Sequence, residues 1–372
     1  MYLLVHPPAE LNVYRALAEG LLRYGSLSID GRPTTMYEPL YPMFLAAAHL
    51  AVREPFLVDL LQVGIASAGA ALLFRLALSL TRDVRISTIA AILYAIDPLL
   101  VREAVGHSES ALFSTLLIGF AAASTSIETE RDAAVAGLWL GFAILARTTA
   151  APLLLLAPAA LLGRRSPSSA AALFVIAMLV VLPLPLRNHA INGSWWPTRS
   201  GVNLFIGNSP RTAELLPRED LDALEIDADR VVHARRPDID SLPGPSAERA
   251  VDQILTGEAW RFMTADPWRT IEAKVANIGY VFSPRIIPYQ QDERPRPLAD
   301  VITYAIFSTA LTVCAVVGVY MRRQRLAGDA MLWAIVVTVV AVNVMYVPAT
   351  RYRAPMEFVL LFYAAVALGR IG

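Results

Sequence analysis

Lysine is almost missing from this chain: Lys274 is the only one in 372 residues, and arginine carries the rest of the positive charge. Cysteine is as scarce. Cys314 stands alone in an apolar run, which excludes an intramolecular disulfide and a cysteine-ligated metal centre. Net charge is missing too, with 32 basic against 32 acidic residues, so no basic surface points to nucleic acid. No Walker loop, dinucleotide fingerprint or nucleophile elbow occurs, and a nucleotide phosphate is therefore not read in the usual ways. Histidines at helical metal-ligand spacing are absent, which gives a zinc site little support. Met1 to Val5 is apolar but far shorter than the core of a signal peptide.

The chain is rich in apolar side chains, at 56% of residues and a mean hydropathy of +0.49. That is too apolar for a soluble domain of this length and points to an all-α polytopic membrane protein. Apolar runs occupy 56–75, 85–100, 110–127, 132–146, 147–162, 169–186, 299–320, 330–348 and 352–370. Each is near the roughly 20 residues that cross a bilayer, some of them short. The stretch 132–162 reads either as one tilted span or as a hairpin broken at Arg147. Arginine placement favours the hairpin. It puts Arg75, Arg82, Arg85, Arg164, Arg165, Arg322, Arg323 and Arg325 together on the inner side.

Four regions follow: an external first loop over 1–55, spans over 56–186, a large external loop over 187–298, and C-terminal spans over 299–372. The apolar run 40–53 is about half a span and reads as a helix at the outer interface. Within the large loop, 209–245 is rich in Asp, Arg and Pro and is expected to be irregular, while 246–282 reads as two helices divided at Pro267.

The candidate chemistry lies on the outer side. Glu10 precedes a short helix with Tyr14 on its apolar face, and its carboxylate suits activation of an acceptor hydroxyl or binding of a divalent cation. The competing reading is a solvated acid at a helix start. Glu109 heads a span in Gly106-His107-Ser108-Glu109-Ser110, where a carboxylate facing lipid is costly and so belongs in a protein cavity; His107 or Glu103 is placed to share its proton. Arg351 and Arg353 flank Tyr352 at the outer end of the last span, where two guanidiniums suit a lipid phosphate or, alternatively, snorkel to headgroups. Arg187-Asn188 closes another span, and Gly201 to Asn208 forms a polar, glycine-flanked turn that includes Asn203.

These residues together resemble a known family. Glu10-Leu-Asn-Val-Tyr14-Arg-Ala-Leu-Ala18, Tyr37-Glu38-Pro39-Leu40-Tyr41-Pro42, Arg187-Asn188 through Asn203 and Gly207-Asn208, Ser108-Glu109, and Arg351-Tyr352-Arg353-Ala354-Pro355 occur in the family's order. The chain resembles the C-type integral-membrane (GT-C) glycosyltransferases. Within them it is similar to the dolichyl-phosphate-mannose-protein mannosyltransferase-like group, glycosyltransferase family 39, whose wider circle includes the lipid A aminoarabinose transferases. The resemblance departs at Glu10, where the family has Asp, and at Glu38, where it has Pro. The family's first membrane helix has no counterpart ahead of Glu10, so a late start or a truncation is expected.

The resemblance implies a GT-C-type helical bundle with external juxtamembrane helices and one large external loop, in the inner or plasma membrane. It implies transfer of a hexose or pentose from a polyprenyl-phosphate donor to a glycan, lipid or protein acceptor at the external face. Glu10 is then the acceptor base and Glu109 the second catalytic carboxylate. Arg351 and Arg353 hold the lipid phosphate, and Tyr14, Glu38, Tyr41, His107, Arg187, Asn203 and Asn208 shape the substrate site. A metal requirement stays open. Two other readings stand beside it: a flippase for an isoprenoid-linked glycan, and an inactive relative acting as a scaffold. Charges clustered at one face, not strung along a path, favour the transferase.

Overall fold

The computed structural model describes residues 13–52, 54–106, 108–163, 166–219, 221–289 and 298–371. The described residues form a helical bundle with a short antiparallel hairpin, Ser28–Ile29 (β1) against Arg32–Pro33 (β2). Ahead of the hairpin stands α1 (Val13–Tyr24), and after it α2 (Leu40–Ala51). The bundle helices follow as α3 (Pro55–Thr81), α4 (Val84–Ile96), α5 (Pro98–Val105), α6 (Ser110–Thr125), α7 (Glu130–Ala146), α8 (Leu153–Gly163), α9 (Pro167–Val181) and α10 (Pro183–Asn192). The loop region holds α11 (Ser200–Gly207), α12 (Thr212–Leu215), α13 (Asp222–Arg235), α14 (Gly244–Ala265) and α15 (Pro267–Val281). The chain closes with α16 (Leu298–Arg322), α17 (Ala330–Met345) and α18 (Ala354–Ile371).

Among the described residues, four stretches are long and apolar enough to cross a membrane: Phe56–Thr81, Pro167–Asn192, Leu298–Arg325 and Thr350–Arg370; the bent pair α4–α5, taken as one span, makes a fifth. Shorter apolar helices, α6 and α17 among them, fill the space between. The run 85–100 is not one rod. It bends by 55° between α4 and α5, where Asp97 turns back to accept the backbone N–H groups of Leu99 and Leu100 at 2.8 and 3.1 Å. Pro98 then starts α5 at a position that lacks no needed donor.

Close glycine contacts fix the direction of the helices. Gly137 lies against Leu173 and Ala177, and Gly141 against Ala177 and Val180, so α7 and α9 run the same way. The chain must therefore return between them through α8, as the hairpin reading requires. Gly318 on α16 meets the Tyr363 carbonyl on α18, while Arg353 reaches Ser308, so that pair is parallel as well. Small residues let these backbones approach where no hydrophobic force separates helix from lipid.

The stretch 209–245 is not irregular. It contains the 14-residue α13, whose Leu224, Ala228 and Val232 are buried at a spacing of four. One apolar residue per turn among acids and arginines leaves too narrow a stripe to stand out in a charged sequence. The break at Pro267 is as expected: Asp266 caps α15 by accepting from the Arg269 N–H at 3.1 Å.

Candidate active site

One end of the bundle gathers polar side chains from five separate segments. Tyr14 comes from α1, and Glu38 from the elbow that Pro39 holds open before α2. Glu109 stands at the start of α6, and Arg147 where α7 gives way to extended backbone. Arg351 and Tyr352 lie in the tight turn Thr350–Arg353 that leads into α18.

Arg147 and Glu109 form an ion pair at 3.0 Å, with side chains 17% and 6% exposed. The Tyr14 hydroxyl lies beside the same carboxylate and favours its ionised form. Its ring meets Tyr37 and Tyr41 edge-on, at 5.7 and 5.1 Å between centroids. Glu38 accepts two bonds from Thr148, at 2.9 Å from the backbone N–H and 2.7 Å from the hydroxyl. The guanidinium of Arg147 lies 4.4 Å from the centre of the Tyr352 ring. Arg351 lies 5.0 Å from that ring and 5.4 Å from Tyr289, so two cations share one aromatic residue. A second layer continues outward: Arg199 donates to the Tyr37 hydroxyl at 3.3 Å and pairs with Glu225 at 2.9 Å.

The two carboxylates are tuned in opposite senses. Burial works to raise Glu109, but the charges of Arg147 and Arg351 and the hydroxyl of Tyr14 outweigh it, and the group is held below the ordinary range. Burial raises Glu38, and the two bonds from Thr148 only partly oppose it. Glu109 is thus a committed anion, while Glu38 is a carboxyl able to take or give a proton.

The remaining expected residues divide. Glu10 and His107 lie outside the described residues. Tyr41 is buried and donates to Gln62 at 2.5 Å, and Gln62 in turn donates to the Gly106 and Ala104 carbonyls, which ties α2 to the turn ahead of Glu109. Arg187 bonds the Leu27 and Thr34 carbonyls at 3.2 and 2.8 Å and clamps the β-hairpin. Asn208 is buried and bridges the Leu204 and Met345 carbonyls, which holds α11 against α17. Asn203 is half-buried on α11, one turn after Arg199.

Arg353 departs most from expectation. Its guanidinium makes a bidentate pair with Glu357 at 2.7 and 2.8 Å, donates to Ser308 and to the Val281 carbonyl, and is 2% exposed. Arg351 and Arg353 point to different surroundings because a tight turn separates alternate side chains. The structure does not bring Arg353 into the cluster.

Arg147 was read from the sequence only as the break in a hairpin, and Thr148, Arg199, Glu225 and Tyr289 were not singled out as site residues. Arg147 carried a usable signal, since a charge at the apex of two apolar runs needs a partner just as Glu109 does. Arg199, Glu225 and Tyr289 are far apart in a loop and carry no local pattern. Among the described residues, no three of His, Cys, Asp and Glu come close enough to hold a metal ion.

No family model and no curated protein sequence matches the chain. Solved structures do. The archaeal oligosaccharyltransferase AglB from Archaeoglobus fulgidus, in complex with an inhibitory peptide and a dolichol-phosphate, aligns at 13% identity and a TM-score of 0.52. The match covers 96% of this chain and 46% of that one. The chain has the GT-C fold. ArnT from Cupriavidus metallidurans bound to undecaprenyl phosphate also aligns, at 13% identity and a TM-score of 0.41, over 96% of this chain and 72% of that one.

Proposed function

We propose that this chain transfers a sugar from a polyprenyl-phosphate donor to an acceptor at the external membrane face. The observation that supports it is the convergence of two guanidiniums on one aromatic ring beside a buried carboxylate: Arg147 and Arg351 lie 4.4 and 5.0 Å from the centre of Tyr352, and Arg147 pairs with Glu109 at 3.0 Å. Two guanidiniums gathered at one aromatic-walled point suit a phosphate. The donor class is carried over from the archaeal relative, whose structure includes a dolichol-phosphate.

In this reading the acceptor hydroxyl or amine attacks the anomeric carbon and the bond from that carbon to the phosphate oxygen breaks. The acceptor's proton passes to a carboxylate, and the lipid phosphate leaves. Arg351 and Arg147 stabilise the charge that grows on the leaving phosphate. Glu10 and Glu38 are the proposed bases. Glu109 is a positioning residue that holds Arg147 and Tyr14 in place. Arg353 anchors the turn that carries Arg351.

The test is release of radiolabelled hexose or pentose from its polyprenyl phosphate by the purified protein. Removing a charge-assisted contact costs about 1.5–3 kcal/mol, so Arg351→Ala is expected to lower release by roughly 10- to 100-fold. Arg353→Met is expected to lower the yield of folded protein and leave donor affinity in the folded fraction unchanged. Full turnover by Arg351→Ala would remove the phosphate assignment. Donor binding without release would move the protein to the flippase reading.

A further inference from the structure

Helix α15 is amphipathic in the reverse sense. Trp268, Ile271, Val275 and Ile278 are exposed, with Arg269 and Glu272 exposed near the helix start, while Asn277 is buried and Thr270 and Lys274 are turned inward. A helix in a water-facing loop presents its apolar stripe to the protein core. The reversal means that hydrocarbon, not water, lies outside. The depth agrees. Arg353 bonds both the Val281 carbonyl at the end of α15 and Ser308 in the middle of α16, so α15 ends level with a span whose Ile302 and Ile306 are also exposed. Lys274, two turns higher, reaches the Met345 carbonyl where the apolar helix α17 stops. That is the level of headgroups.

A cavity of about 80 Å³ opens at the same level, lined by Lys274, Arg269, Asn208, Thr212, Asn277 and Phe262 among others. No carboxylate is among its described lining residues. The Lys274 ammonium donates to the Gly207 and Met345 carbonyls at 3.4 and 3.0 Å, and an ammonium has a third donor. Lys274 is partly buried with no carboxylate among the described lining residues, and Arg269 lines the same cavity, so an anion seated there would complete the ammonium's bonding.

We propose that Lys274 and Arg269 bind the phosphate of an anionic membrane lipid whose acyl chains lie along the exposed face of α15. This second phosphate site is separate from Arg351 and does not depend on the transfer reaction. Burial lowers Lys274 to about 8, and a bound phosphate must raise it again.

The scarcity of lysine makes the test clean. Reductive methylation with a 13C reagent marks only Lys274 and the N-terminal amine, and Lys274→Arg identifies which signal is which. The labelled full chain is titrated by NMR in nanodiscs of phosphatidylcholine, then in nanodiscs containing phosphatidylglycerol. The Lys274 midpoint is expected near 8 in the neutral lipid, and to rise by about one pH unit, a tenfold preference, in the anionic one. Arg269→Gln is expected to shrink the rise. The same midpoint in both lipids overturns the proposal. An equal rise with inorganic phosphate in phosphatidylcholine overturns the lipid source and leaves a free-anion site.

Discussion

Glu109 is buried and Glu38 half-buried at the same end of the bundle, and their neighbours push them in opposite directions. Thr148 offers Glu38 two hydrogen bonds and no charge, so burial wins and the proton is retained to higher pH. Arg147 and Arg351 give Glu109 charge, so it stays ionised. A base must be ionised to act. Glu38 as base therefore predicts an acid limb in the turnover profile, with activity lost as pH falls through a midpoint above the ordinary carboxylate range. Stability runs the other way for this group: its contribution is full below the unfolded-state value and declines as pH rises through the raised folded one. Glu38→Gln is expected to cut turnover by about 10²- to 10⁴-fold and to abolish the limb. A limb that persists unchanged in Glu38→Gln would pass the role to another carboxylate, Glu10 first. At this scale the sequence was half legible. The cost of a charge near a span marked Glu109 and Arg351, but the same rule applied to Arg147 went unused, and the division between Arg351 and Arg353 depends on a turn that spacing does not reveal.

Long helices were legible because hydropathy is summed over many residues and single exceptions average out. The exceptions were the elements set by one or two side chains. The bend between α4 and α5 depends on Asp97 capping the second helix from inside an apolar run. Helix α13 depends on three buried apolar residues in a charged segment. Helix directions rest on glycines whose role shows only when the partner backbone is present. Gly318 has the Tyr363 carbonyl where a side chain would start, so the parallel α16–α18 pair leaves no room for substitution. Gly318→Leu is expected to destabilise by about 1–3 kcal/mol or more, read as a lower thermal midpoint in detergent. Gly279, on the open face of α15 with nothing near it, is the control, and its leucine variant should melt like the parent. Equal loss in both would mean that the added leucine itself, not the close packing of α16 on α18, lowers the midpoint.

At the scale of the whole molecule, the two ends of the bundle carry different kinds of charge. One end holds the cluster around Arg147. At the other, Arg322 pairs with Asp329 at 2.6 and 2.8 Å and reaches the Leu80 carbonyl, which brings the last turns of α3 and α16 together. The exposed arginines near this second end, Arg323 and Arg325, are those that positive-inside placement assigns to the inner face. Orientation can be read with an impermeant maleimide on single cysteines in a Cys314→Ala background. Asp30, Glu130, Arg249 and Gln324 are all exposed. The parallel packing of α7 on α9 requires Glu130→Cys and Gln324→Cys to label from one side, and Asp30→Cys and Arg249→Cys from the other. If 132–162 crossed only once, Glu130 would join Asp30 and Arg249 instead, and Arg147 would lie at mid-membrane, remote from Arg351. The label at Glu130 therefore decides whether Arg147 and Arg351 can meet at one phosphate.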